Sequence, residues 1–137
     1  MRIVILLVAL LCTFNGYSQF SEEIYKRYEA AKSPNEQTEV LNKAFDEMAV
    51  GAGSKRIWKA NQLRDYFNRK GDLWGTGYIE LAIALSYRVT GQYSEALKYS
   101  LPALKKFETL NDTFAIISAL IQTGSSFTES QNMQQGL

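Results

Sequence analysis

Gly91-Gln92-Tyr93-Ser94-Glu95-Ala96-Leu97 decides how this chain is read, because it marks a sharp reversal between two helical stretches. Gly91 suits the left-handed conformation that ends a helix. Ser94 stands where an N-cap belongs, its hydroxyl able to accept from an early orphan N–H. Upstream, Trp74 to Thr90 reads as one helix carrying Tyr78, Ile79, Leu81, Ala82, Ile83, Leu85 and Val89 on nearly every side. A helix apolar all round is expected to be buried between neighbours. Downstream, Ser94 to Leu110 reads as an amphipathic helix, with Leu97, Leu101, Leu104 and Phe107 on one stripe and Lys98, Lys105 and Glu108 outside it. Pro102 removes the amide bond to the Lys98 carbonyl, at about 3 kcal/mol, so a bend is expected near Ser100-Leu101. Asn111-Asp112 makes the next break, with Asp112 capping the helix that follows.

The hairpin recurs. Under a shift of 40 residues, Gly71-Asp72-Leu73-Trp74-Gly75 lies over Asn111-Asp112-Thr113-Phe114-Ala115, Ser86-Tyr87 over Ser126-Phe127, and Leu97 over Leu137. In the other direction, Leu81, Ala84, Gly91, Ser94 and Phe107 fall on Leu41, Ala44, Gly51, Ser54 and Phe67. The matches cluster at turns and small residues, which is the mark of an internal repeat. A buried inner helix backed by an amphipathic outer one, repeated, is the arrangement of a stacked solenoid.

The stretch from Gly91 to Leu97 resembles the hairpin of a tetratricopeptide repeat (TPR). Ala84 and Gly124 hold the place of the family's small residue in the first helix. Tyr87 and Phe127 hold the aromatic place three residues later, and Ala96 and Ala103 fill the small sites of the second helix. The resemblance covers Gly71 to Leu137 well and Ala31 to Lys70 loosely. It implies an all-α fold, a right-handed α-solenoid of stacked antiparallel helical hairpins, and a module that binds protein or peptide. Three departures stand out. The unit is 40 residues long where the family's is about 34, the family's tryptophan position holds Glu80 or Leu120, and Pro102 interrupts the second helix. Long units of this type behind an export signal are similar to the sensor regions of Bacteroidetes-type envelope signalling proteins. The expected organisation is a signal peptide over 1–18, an N-terminal helical region with a degenerate repeat over 19–70, a TPR-like unit over 71–110, and the start of a further unit over 111–137.

The N-terminus reads as an address. Arg2 precedes the apolar run Ile3 to Leu11, a polar break follows at Thr13, Asn15 and Gly16, and Gly16-Tyr17-Ser18 offers small residues before a cut after Ser18. This is the layout of a secretory signal peptide, and the run falls short of the roughly 20 residues of a membrane span. Export to the periplasm is expected. Cys12 follows Leu11 rather than the small residue of a lipidation signal, so it is read as part of the apolar segment.

Composition excludes several chemistries. The chain has no histidine and a single cysteine, so histidine-dependent triads, thiol–imidazole pairs and an intrachain disulfide are impossible. With 15 basic and 14 acidic residues among 137, the net charge of +1 gives no global attraction to nucleic acid or anionic lipid. Lys55, Arg56, Lys59, Arg64, Arg69 and Lys70 interleave with Trp58, Tyr66 and Phe67 but spread around a helix, as a solvated face does. Glu22-Glu23, Glu36-Glu39 and Asp46-Glu47 point in different directions on a helix and make no carboxylate dyad. Ser125-Ser126 lacks the glycine spacing and base of a nucleophile elbow. Gly71 through Gly77 lacks the lysine of a phosphate loop and reads as a helix start with close packing. No enzyme, cofactor or metal site is expected.

Tyr78, Tyr87, Tyr93 and Tyr99 are the candidate partner-binding residues, since aromatic side chains lining a solenoid can grip an extended peptide. Met133-Gln134-Gln135-Gly136-Leu137 overlays Tyr93-Ser94-Glu95-Ala96-Leu97, so the last unit reads as halted where its second helix should begin. An apolar face on its first helix (Phe114, Ile116, Ile117, Leu120, Ile121, Phe127) is then expected to lie uncovered, to be met by further chain or by self-association. The sequence thus points to a periplasmic protein-interaction module, the sensory part of a signalling protein, with a free-standing adaptor as its rival.

Overall fold

A computed structural model describes residue 16 and residues 18–49 and 53–136. These residues form six α-helices and no strand: α1 over 18–30, α2 Pro34–Ala49, α3 Gly53–Arg69, α4 Leu73–Val89, α5 Tyr93–Leu110 and α6 Thr113–Gln134. The expectation of an all-α chain holds. The signal segment, apart from Gly16 and Ser18, lies outside the described residues, as do Gly51 and Leu137. Two compact units divide within α3, one up to Tyr66 and the other from Phe67.

The first unit is cored by Ile24, Tyr25 and Tyr28 of α1, Leu41, Ala44, Phe45 and Met48 of α2, and Ala60 and Leu63 of α3. Their spacings of three and four residues put each set on one helix face. Tyr25 stacks on Tyr28 at 6.1 Å and meets Tyr66 at 5.6 Å. Helix α2 begins at Ser33-Pro34-Asn35-Glu36. The Ser33 hydroxyl accepts from the Glu36 amide at 3.2 Å, and the Glu36 carboxylate reaches back to the Lys32 amide at 2.8 Å. Proline at the first helical position sacrifices no bond, because that amide is an orphan in any helix.

The second unit is governed by its corners. Gly71, Gly91 and Asn111 take positive φ of 74°, 75° and 54°, and they recur every 20 residues. Each closes the preceding helix in the same way. The amide of the left-handed residue bonds three residues back (Asn68, Arg88 and Glu108), and the next amide bonds five back (Phe67, Tyr87 and Phe107), the paired bonds of a Schellman motif. Asp72 and Asp112 then cap α4 and α6 by accepting from Gly75 and Ala115 at 2.8 and 3.1 Å. Corners of two or three residues return the chain on itself, so α4 packs against α5 and α5 against α6. Leu81, Ala103, Phe107 and Ala119 form one core cluster, flanked by Trp74, Leu104, Ala115 and Ile116.

Three expectations are corrected. Ser94 does not cap α5: the helix starts one residue earlier, and Gln92 occupies the cap position without a side-chain bond. Helix α4 is not buried all round, since Leu85 and Val89 emerge at its C-terminal end, Val89 with 77% of its surface exposed. The buried line of α5 is Ala96, Ser100, Ala103 and Phe107, whereas Leu101 is exposed and Leu97 and Leu104 are half-buried. Small residues let α5 lie close between its neighbours, which displaces the leucines to the flanks. Helix α5 runs unbroken through Pro102.

Candidate interaction surface

Helix α6 is apolar on two opposite sides. Ala119 and Ser126 are buried, seven residues apart on the side toward α5. Half a turn away, Ile117, Leu120, Ile121 and Phe127 form a stripe at helical spacing of three, four and six residues, with Phe114 beside it. All five are substantially exposed, Ile121 at 63% and Phe114 at 87%. The expected uncovered face is there, except that Ile116 leans against the core cluster. Gly124 lies in the middle of the stripe, and a methyl group built there meets nothing within 4 Å. Glu129 is the only charged residue of the helix.

The equivalent face of α4 shows what this register does when it is covered. Forty residues earlier, Ile117, Leu120, Ile121 and Phe127 become Gly77, Glu80, Leu81 and Tyr87. The Phe107 ring sits over Gly77 with its nearest atom 3.0 Å from where a Cβ would be. Lys106 donates to both oxygens of the buried Glu80 carboxylate at 2.9 and 3.0 Å. Leu81 joins Ala103 and Phe107 in the core. Tyr87 stacks on Tyr99 at 5.6 Å, with planes 24° apart. Every one of these partners belongs to α5. Asp112 ties α4 to α6, its second oxygen accepting from the Trp74 indole at 2.9 Å while the first caps α6.

The four candidate tyrosines fall in three places. Tyr87 and Tyr99 are brought together, and burial followed by the neighbouring Tyr99 pushes the Tyr87 phenol above its ordinary value. Tyr78 stacks instead on Trp74 at 5.3 Å, about 13 Å along α4 from Tyr87 by helical rise. Tyr93 opens α5 beside Glu129, and its phenol is also raised, by partial burial and then by that carboxylate. It lines a shallow cleft with Gly91, Ser94, Glu95, Ser130 and Met133. The Glu80–Lys106 pair and the open place at Gly124 escaped the sequence reading. A charge on the otherwise apolar α4 was the available signal for the first.

Paired acids elsewhere are spoken for by basic neighbours one turn on: Glu22 with Lys26, Glu23 with Arg27 and Glu39 with Lys43, at 2.7 to 2.9 Å. Among the described residues, no three His, Cys, Asp or Glu side chains gather as metal ligands, and no helix is long and apolar enough to cross a membrane. Compared with known proteins, the chain matches no family model, no curated protein and no solved structure.

Proposed function

We propose that the chain is a TPR-like helical-repeat module that binds a protein or peptide partner in the periplasm, as the sensory part of an envelope signalling protein. The observation that carries this reading is the exposed stripe Ile117, Leu120, Ile121 and Phe127 on α6, opposite a side that is already packed. Contiguous apolar surface of this kind marks interaction sites. A stacked solenoid is favoured by the corners at Gly71, Gly91 and Asn111, which repeat one geometry at one spacing. Signalling and export rest on the resemblance and on the signal-like N-terminus.

A photo-crosslinking residue at Ile121, with one at the exposed Lys105 as control, tests the reading in the source cell. A discrete protein adduct at 121 and not at 105 is expected. Equal adducts, or none, would remove the basis for a binding module. N-terminal sequencing of the recovered protein should begin at Gln19. Reading the gene past codon 137 separates sensor from adaptor: further repeats and an apolar span of about 20 residues mark the former, an immediate stop the latter.

A further inference from the structure

Taking α6 as a binding face, we propose that its occupant is a second copy of this chain, α6 lying antiparallel on α6 about a two-fold axis between Leu120 and Ile121. The face is shaped for a helix, because the same register on α4 is covered by antiparallel α5, through Phe107 on Gly77, Lys106 on Glu80 and Tyr99 on Tyr87. A helix like α5 does not fit it. Ile117 fills the space that Gly77 leaves for the Phe107 ring, and Leu120 would leave the charge of a Lys106 equivalent unpaired.

Helix α6 does fit itself. The series Phe114, Ile117, Leu120, Ile121, Gly124, Phe127 has the same spacing read in either direction. Turning one copy around sets Phe114 opposite Phe127 of the second copy, Ile117 opposite its Gly124, and Leu120 opposite its Ile121. Isologous contact needs this reciprocity, residue i meeting j and j meeting i. The large side chain of Ile117 enters the open side of Gly124, where a Cβ would meet nothing within 4 Å, so large and small alternate across the interface. No charge obstructs the pairing, since Glu129 is the sole charged residue of α6 and lies off the stripe.

Sedimentation velocity of the full chain and its variants is the test, with helicity by circular dichroism confirming that each is folded. Residues 3–11 are common to all variants, so association through them would raise every baseline alike. The unaltered chain should dimerise at micromolar concentration. Ile117→Ala, which opens a void, and Gly124→Ile, which sets two isoleucines against each other, should each weaken the dimer roughly tenfold or more. The double variant I117A/G124I exchanges large for small and should recover most of the affinity. A monomer at about 100 µM, or weakening by both substitutions without recovery in the double variant, overturns the proposal. A monomer that still crosslinks to a foreign protein at 121 overturns the second copy alone; a monomer without adducts overturns the binding face as well.

Discussion

A Cβ built at Gly75 lies closer than 3.0 Å to the ring of Phe67, while one built at Gly124 meets nothing within 4 Å. Phe67 is fully buried, and a ring in a close-packed interior shifts only at a cost to its neighbours. Gly75→Ala should therefore cost about 2 kcal/mol through overpacking, whereas Gly124→Ala should gain about 0.5 to 1 kcal/mol from helix propensity alone. Urea denaturation of the two variants gives both signs. Ser100 offers a third case. Its hydroxyl is buried in α5 with no hydrogen-bond partner among the described residues, so Ser100→Ala should raise stability by about 1 kcal/mol. Glycine at 75 was legible as close packing but glycine at 124 was not legible as open space, because emptiness depends on which neighbour fails to arrive. Ser94 misled for a related reason. The Schellman corner at Gly91 carries the chain into α5 two residues sooner than a serine cap requires, with Gln92 rather than Ser94 at the cap, and local hydroxyl chemistry yields to that geometry.

Between helices, Asp112 has two duties that a cap alone would not predict. Asp112→Ala removes the bond from the Ala115 amide and leaves the Trp74 indole without its acceptor. The loss should reach about 2 kcal/mol, the upper end for a cap, with a red-shifted tryptophan emission reporting the freed indole. Asp112→Asn, which keeps one of the two acceptors, should recover the cap bond but not the indole bond. The Glu80–Lys106 pair follows a different rule, with side chains only 9% and 20% exposed. Lys106→Met removes the ammonium group that faces a buried carboxylate and should destabilise by about 3 kcal/mol, while the double variant E80L/K106L should come out near neutral. Thermal melts of the three chains distinguish these outcomes. The positions of α4 and α5 were legible to within a residue, because these helices announce their ends with Gly91, Asn111 and Asp112. The buried line of α5 was not. Leucine marks an apolar helix, but how closely two helices approach is set by the small residues Ala96, Ser100 and Ala103.

Across the molecule, stability is distributed by neighbours. Helix α5 packs on both sides, whereas α6 has α5 and a small contact with α4. In dilute solution its amides should exchange at least about tenfold faster than those of α5, as expected for a helix with less packed surface. That excess should shrink as protein concentration rises if α6 is covered by its counterpart. Alkaline titration gives a second global readout. Burial, first among the causes, raises the phenols of Tyr87 and Tyr93 above their ordinary value in the folded chain. Their contribution is therefore whole below pH 10 and is lost as pH climbs through the folded values, the unfolded phenols ionising first. Absorbance near 295 nm against pH should show a late-titrating component that Tyr87→Phe diminishes. The corners at Gly71, Gly91 and Asn111 were readable at this scale because turn residues tolerate few substitutes. The division within α3 was not, since no proline or glycine interrupts that helix between Ser54 and Lys70.

The even spacing of the left-handed corners makes the chain behave like a ruled strip. Cutting out Gly71 to Leu110 would join Lys70 to Asn111, and the new corner would inherit the same bonds to Asn68 and Phe67. One graft mark would betray the splice: Ala115 would land where Gly75 now makes room for the Phe67 ring. The shortened chain should fold well only with Ala115→Gly, so the loss of this segment carries a one-methyl toll.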